Sequence, residues 1–204
     1  YTKMANDLGV DGIMIVTPYY SKPSQDGILK HFELISKNTD LPIMAYNIPG
    51  RTSTLIEIET LEKLVDDIGI HSIKDAVGDL EFSRLELEAL KDKVDIYSGN
   101  DSETIEFMKM GGKGVVSVAS HVVGKEIYQL IESVSADEIE AAEQIQNILL
   151  PIFDMLFEEP SPGPVKYLLT KTWEDVGTPL MPITDITPDL SNKILDYYKK
   201  IKKD

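Results

Sequence analysis

His71-Ser72-Ile73-Lys74-Asp75-Ala76-Val77-Gly78-Asp79 decides the fold: a short, largely apolar strand that runs into a glycine turn. A lysine among apolar neighbours at the end of an inner strand is costly as a cation, because desolvation disfavours the charged form and lowers its pKa. A neutral amine at working pH is a nucleophile for carbonyls, and the product is a Schiff base. The plain alternative is a strand-end lysine that snorkels to water, as most lysines do. The neighbouring strand ends decide between the two.

Comparable apolar runs lie on either side, at Gly12–Val16, Pro42–Tyr46, Val94–Tyr97 and Gly114–Val118. Helical spacing follows them, as in Ile28, Phe32, Leu34 and Ile35, or Leu55, Ile58, Leu61 and Leu64. The strand-end residues Tyr19, Tyr46, Lys74, Gly99 and Ser117 are, by subtraction, 27, 28, 25 and 18 residues apart. This is a βα repeat, which makes a parallel sheet with right-handed crossovers. From about His121 the strands stop. Glu126–Val134, Asp137–Phe157, Val165–Trp173 and Leu190–Ile201 read as helices, with Asp137 and Glu140 as a capping-box start. Glu158 to Pro164, rich in proline, reads as an ordered turn between two of them.

Five βα units fit either an open doubly wound sheet or the later part of an eight-stranded barrel, which needs ~250 residues when complete. The opening Tyr1-Thr2-Lys3-Met4-Ala5-Asn6-Asp7-Leu8-Gly9 reads as the tail of a helix with Gly9 at its C-cap. That ragged start favours the barrel. The expected fold is α/β: the last five βα units of a (β/α)8 TIM barrel over residues 1–120, strands four to eight, then the last barrel helix and a helical appendage over 121–204.

Composition narrows the partners. With 35 acidic and 20 basic residues the formal net charge is −15, which argues against nucleic acid or an anionic membrane, both bound through excess Lys and Arg. A small anionic substrate needs only a local positive site. There is no cysteine, so thiolate chemistry and disulfides are absent, consistent with a cytoplasmic setting. No apolar run has the length of a membrane span.

In either fold the active site lies at the C-terminal ends of the strands. There the chain carries Thr17-Pro18-Tyr19-Tyr20, Tyr46-Asn47-Ile48-Pro49-Gly50-Arg51-Thr52, Lys74, Ser98-Gly99-Asn100-Asp101 and Val115-Val116-Ser117. One amine, three phenols and one guanidinium converge on one rim. A phenol beside a nucleophilic lysine can move protons onto and off a carbinolamine oxygen. Arg51 has the planar fork suited to a carboxylate, although a solvated loop arginine is the plain reading. Gly111-Gly112-Lys113-Gly114 precedes a strand, so it reads as a helix stop and tight turn and not as a phosphate loop. His31, His71 and His121 lack metal-ligand spacing, with structural roles expected for His31 and His71. The acidic run Glu81–Glu88 reads as a solvated helix face.

Taken together, Val16-Thr17-Pro18-Tyr19-Tyr20, Tyr46-Asn47-x-Pro49-x-Arg51-Thr52 and Ile73-Lys74-Asp75-Ala76-x-Gly78-Asp79 resemble the dihydrodipicolinate synthase/N-acetylneuraminate lyase family of pyruvate-dependent class I aldolases, and its synthase branch in particular. The likeness extends through Ser98-Gly99-Asn100-Asp101, Gly112-x-Gly114-Val115-Val116-Ser117-Val118 and Glu159-Pro160-x-Pro162-x-Pro164-Val165-Lys166. It implies a lyase that joins pyruvate to L-aspartate 4-semialdehyde, giving 4-hydroxy-tetrahydrodipicolinate in lysine biosynthesis through diaminopimelate. By the resemblance Lys74 forms the imine with pyruvate and Tyr46 is the general acid/base. Tyr20 belongs to a proton relay and is shared with the neighbouring subunit. Arg51 receives the semialdehyde carboxylate, and Val116 and Gly99 line the pyruvate pocket. The resemblance further implies no metal or organic cofactor, and a homotetramer built as a dimer of tight dimers.

The family's Gly-Thr-Thr-Gly-Glu segment, which supplies the pyruvate carboxylate site, has no counterpart here. The parent protein is therefore expected to be the enzyme, whereas this chain alone lacks part of the substrate site and leaves barrel edges unpaired. Two rivals remain at this stage: a sugar-acid or N-acetylneuraminate lyase of the same superfamily, against which Arg51 in Pro-Gly-Arg-Thr speaks, and an inactive fragment.

Overall fold

A computed structural model describes residues 1–203, which divide into two units, Tyr1–Val116 and a second beginning at Ser117. In the first unit, four short strands form a parallel sheet in sequential order: β1 (Ile13–Val16), β2 (Ile43–Asn47), β3 (Ser72–Asp75) and β4 (Asp95–Ser98). Helices lie between them: α1 (Thr2–Leu8), α2 (Gln25–Ser36), the single turn α3 (Pro49–Thr52), α4 (Ile58–Asp66), α5 (Leu80–Ala89) and, after β4, α6 (Thr104–Lys109). Gly9 ends α1 in the left-handed conformation at φ 69°, as the sequence predicts.

Side chains of a strand alternate between two faces. Ile43, Ala45 and Asn47 of β2, Ile73 and Asp75 of β3, and Ile96 and Ser98 of β4 are all buried under the helices. The apolar ones among them pack in one core with Ile28 and Phe32 of α2, Leu61 and Leu64 of α4, Leu87 of α5 and Phe107 of α6. Each such apolar side chain contributes about 1.5–3 kcal/mol on burial. The other face carries the alternate residues. Register sets four of them in one row across the sheet, Val16, Tyr46, Lys74 and Tyr97. The core fixes one face of each strand, and the site is written on the other.

The fifth apolar run does not form a strand. Its pairing is a single parallel bridge between Val115 and Ser98, flanked by Lys113 N–H donating to Ile96 O and Val116 N–H to Ser98 O. Glycine explains the brevity: Gly111 at φ 110° and Gly114 at φ 143° leave only Val115 and Val116 before the chain turns away. A side chain at Gly112 would stand about 2.1 Å from the Phe107 ring, so the glycine run is the helix stop and tight turn expected of it.

The second unit is helical: α7 (Ser120–Ser135), α8 (Ile139–Glu158), α9 (Gly163–Thr172) and α10 (Pro188–Ile201). The expected capping box at Asp137 is absent. Asp137 sits at φ 61° in the turn, Glu138 is the N-cap, and its side chain makes no capping bond. Between α8 and α9 the proline-rich turn is ordered, and the Glu159 carboxylate accepts from both the N–H and the hydroxyl of Thr187, which caps α10. Among the described residues no helix is long and apolar enough to cross a membrane.

Candidate functional site

Lys74 stands on the open face of β3, yet its side chain is only 7 % exposed. Its Nζ lies 4.2 Å from the centre of the Tyr46 ring on the adjoining strand. Burial lowers the Lys74 pKa, and the Asp101 carboxylate partly opposes that shift. Burial also raises the Tyr46 phenol, with the Arg51 cation acting in the other direction. An amine biased towards its neutral form thus faces a phenol held in its protonated form. That is the pairing a carbonyl addition requires, a nucleophile beside a proton donor.

Local sequence sets these positions. On β2 the residue after Tyr46 points the opposite way, so Asn47 enters the core, where its side chain donates to Ile56 O at 3.0 Å and accepts from Ile56 N–H at 3.0 Å. Those two bonds close the loop that carries α3. The Thr52 hydroxyl bonds Ile48 O at 3.1 Å and Thr54 O at 2.9 Å, and Ser53 takes a positive φ, 56°. Arg51 is held exposed at the tip of a fixed turn. Thr17, fully buried, donates from both N–H and hydroxyl to Tyr46 O at 3.2 Å, tying the end of β1 to the phenol's own backbone.

Gly99 is demanded by contact. A Cβ there would lie 2.6 Å from Ala76 Cβ and 2.9 Å from Lys74 Cε, while its N–H donates to Asp75 O at 2.5 Å. It forms a wall against the lysine stem. Val116 joins the rim through its N–H bond to Ser98 O at 2.8 Å.

Lys74, Tyr46 and Gly99 therefore come together, with Arg51 and Val116 at the margin. Tyr20 stands apart, 95 % exposed and at φ 65°. Two neighbours were not singled out from sequence. Tyr97 is the register partner of Lys74, a relation already legible in strand alternation. Asp101 is buried and acts on the Lys74 charge; it was quoted in the Ser98–Asp101 rim without a role. One expectation is corrected: in the run Glu81–Glu88, Glu81 and Glu88 are solvated partners of Arg84, but Glu86 is fully buried. His31 lies on α2, and His71, at the entry to β3, accepts from Ile43 N–H at 3.4 Å. Among the described residues no group of three His, Asp or Glu side chains is placed to hold a metal. A hollow at the opposite end of the strands, lined by His71, Val94, Ile96 and Lys113, includes none of the site residues.

The model of the dihydrodipicolinate synthetase family matches residues 1–201. The chain is 40 % identical over 195 residues to 4-hydroxy-tetrahydrodipicolinate synthase of Listeria monocytogenes serotype 4b, covering 95 % of this chain and 67 % of that protein. The crystal structure of a Bacillus anthracis dihydrodipicolinate synthase superposes with TM-score 0.93 at 39 % identity, over 97 % of this chain and 68 % of that one. The Acinetobacter baumannii synthase, crystallised with pyruvate, superposes with TM-score 0.93 at 31 % identity, over 98 % and 69 %. The chain spans about two thirds of the length of these relatives.

Two outcomes follow from the geometry. Asn47→Ala leaves the Ile56 N–H and C=O buried without their partner and is expected to cost about 1–3 kcal/mol, read from the denaturant midpoint. Asp101→Asn removes the charge that favours the ammonium, so the Lys74 titration midpoint moves down; an upward or absent shift in the pH dependence of Lys74 labelling refutes that role.

Proposed function

The chain belongs to the dihydrodipicolinate synthetase family, and we propose that it carries the Schiff-base centre of a lyase condensing pyruvate with L-aspartate 4-semialdehyde to 4-hydroxy-tetrahydrodipicolinate, a step of lysine biosynthesis through diaminopimelate. The observation that carries this reading is the nearly buried Lys74 with its Nζ 4.2 Å over the Tyr46 ring.

In the proposed sequence neutral Lys74 Nζ attacks the keto carbon of pyruvate. Tyr46 passes a proton to the carbonyl oxygen, water leaves, and the imine forms. The Tyr46 phenolate, left after its proton went to the departing water, takes a methyl proton, and the protonated imine accepts the electron pair, so the electron sink is made from lysine and substrate, with no metal or organic cofactor assigned. The enamine carbon then bonds to the aldehyde carbon of the semialdehyde, whose oxygen takes a proton to become the 4-hydroxyl, and the α-amino group of the same substrate attacks the imine carbon, closing the ring and releasing Lys74 as the free amine. Arg51, exposed on its fixed turn, is assigned to the semialdehyde carboxylate, where a planar fork gives two parallel hydrogen bonds. Gly99 and Val116 are assigned to the pyruvate pocket. Arg51 in Pro-Gly-Arg-Thr favours this substrate over the sugar acids of related lyases.

The same reading takes the four-stranded sheet as an arc of a (β/α)8 barrel. It places Tyr20 in a proton relay shared across a tight dimer within a cytoplasmic homotetramer, a role its 95 % exposure suits. Sedimentation of the parent protein at four times its own chain mass is the expected result, and a monomer at micromolar concentration refutes the assembly.

Borohydride reduction in the presence of pyruvate, followed by peptide mass mapping, tests the chemistry. A pyruvate-sized adduct on Lys74 is expected in the wild type and absent from Lys74→Ala. An adduct confined to other lysines sinks the mechanism.

A further inference from the structure

We propose that Glu86 is a positioning residue for the Lys74 amine, holding one proton between its own carboxyl and that of Asp75 and so fixing the strand end on which Lys74 stands. The proposal adds to the Schiff-base reading and rests on it for its meaning in catalysis.

The residues involved are among the most enclosed in the unit: Glu86 is 0 % exposed, Ser83 1 % and Asp75 2 %. Asp75 follows Lys74 on β3 and points to the helix layer, where α5 presents Ser83 and, three residues on, Glu86. Both Asp75 oxygens are bonded: Ser83 Oγ donates to one at 2.5 Å, and Val77 N–H donates to the other at 2.8 Å. Glu86 receives no N–H or O–H on either oxygen. Ser83, three residues before Glu86 on the same buried side of α5, draws the Asp75 carboxyl to that side through its Oγ bond, and the Asp75 charge acts on Glu86. Two acceptors brought together out of water keep that contact only with a proton between them, and two adjacent carboxylates cannot both ionise there.

Other charges do not supply the missing compensation. Asp79, at the start of α5, adds a like charge on the Asp75 side. Lys74 and the buried Asp101 act on each other at the site. On the helices packed against α5, Glu59, Glu62, Lys63 and Asp66 of α4 and Glu106 and Lys109 of α6 are exposed or half-exposed; Asp66 pairs with Lys93, and Glu106 with Lys109. Burial, with the Asp75 charge second, raises the Glu86 pKa well above the ordinary 4.5.

The link to Lys74 runs through the main chain. Asp75 O accepts from Gly99 N–H at 2.5 Å, and Gly99 is the wall against the Lys74 stem. Ala76 N–H donates to Asn47 O at 2.9 Å, joining the same strand end to β2 beside Tyr46. Ionising Glu86 sets two anions against each other behind this strand end, and the lysine moves with its backbone.

The sign is fixed. A carboxyl whose folded pKa is raised stabilises the fold fully below its unfolded value of 4.5, and that contribution is lost as pH rises through the folded value. Glu86→Gln keeps an N–H for Asp75 and has no proton to lose. Asp75→Asn breaks the acid pair from the other side, so either variant that folds suffices. Denaturant midpoints of wild type and variant are expected to keep a constant offset below the unfolded value of 4.5 and to diverge as pH rises above it, with wild type losing ground. The rate of Lys74 reductive methylation by formaldehyde, read by peptide mapping, is expected to match in wild type and Glu86→Gln at the acid end of the same pH series, where Glu86 keeps its proton, and to differ several-fold at the alkaline end, where it has lost it. Parallel midpoint curves overturn the shared proton. Diverging midpoints with equal Lys74 rates overturn the positioning role. Neither measurement uses pyruvate, so failure of the Schiff-base reading shows separately, in borohydride trapping.

Discussion

Strand β3 ends on two ionisable residues that must face opposite ways, and much of the site depends on how each is accommodated. Period-two alternation sends Lys74 to the open face and Asp75 into the helix layer. Neither carries charge cheaply where it stands. On the Lys74 side the cost biases the amine towards neutrality, which is the useful outcome for a nucleophile. On the Asp75 side it is met by hydrogen bonds from Ser83 and Val77 and by a neighbouring acid that keeps its proton. A slip of one residue in register would exchange the two and place the amine in the core.

The same logic governs β2. Tyr46 faces the site because Asn47 faces the core, and Asn47 is tolerated there because both ends of its amide find Ile56. That pair of bonds also returns the chain after α3, so Arg51 sits on a closed turn and not on a mobile one. The open face is thus held by polar bonds on the other.

Much of this was legible in sequence. The βα repeat, the parallel order and the rim of Tyr46, Arg51, Lys74 and Gly99 follow from spacing and strand-end residue types. What escaped depends on local backbone torsions and on which face of a helix is buried. Gly114–Val118 has the composition of a strand, but its ladder is cut short by backbone torsions at glycine. Asp137 has the residue type and spacing of a helix cap, yet the chain enters α8 one residue later from a left-handed turn. Glu86 sat within an acidic run, and charge composition alone made that run a wet surface. A different signal was present: Ser83, Glu86, Leu87 and Leu90 fall on one helical stripe. Periodicity placed Glu86 inside while charge placed it outside, and periodicity was right.

That conflict bears on why an acid occupies the position at all. An apolar side chain there would avoid burying a carboxyl, and replacing buried charges by apolar groups is often stabilising. It would also leave the Asp75 oxygens with Ser83 and Val77 alone, removing the donor that Glu86 supplies while it keeps its proton. A carboxyl that is neutral in the fold costs far less than a buried ion and still offers one O–H. The arrangement exchanges some stability at high pH for a directional bond on the residue next to Lys74, where a small displacement of the backbone becomes a displacement of the amine.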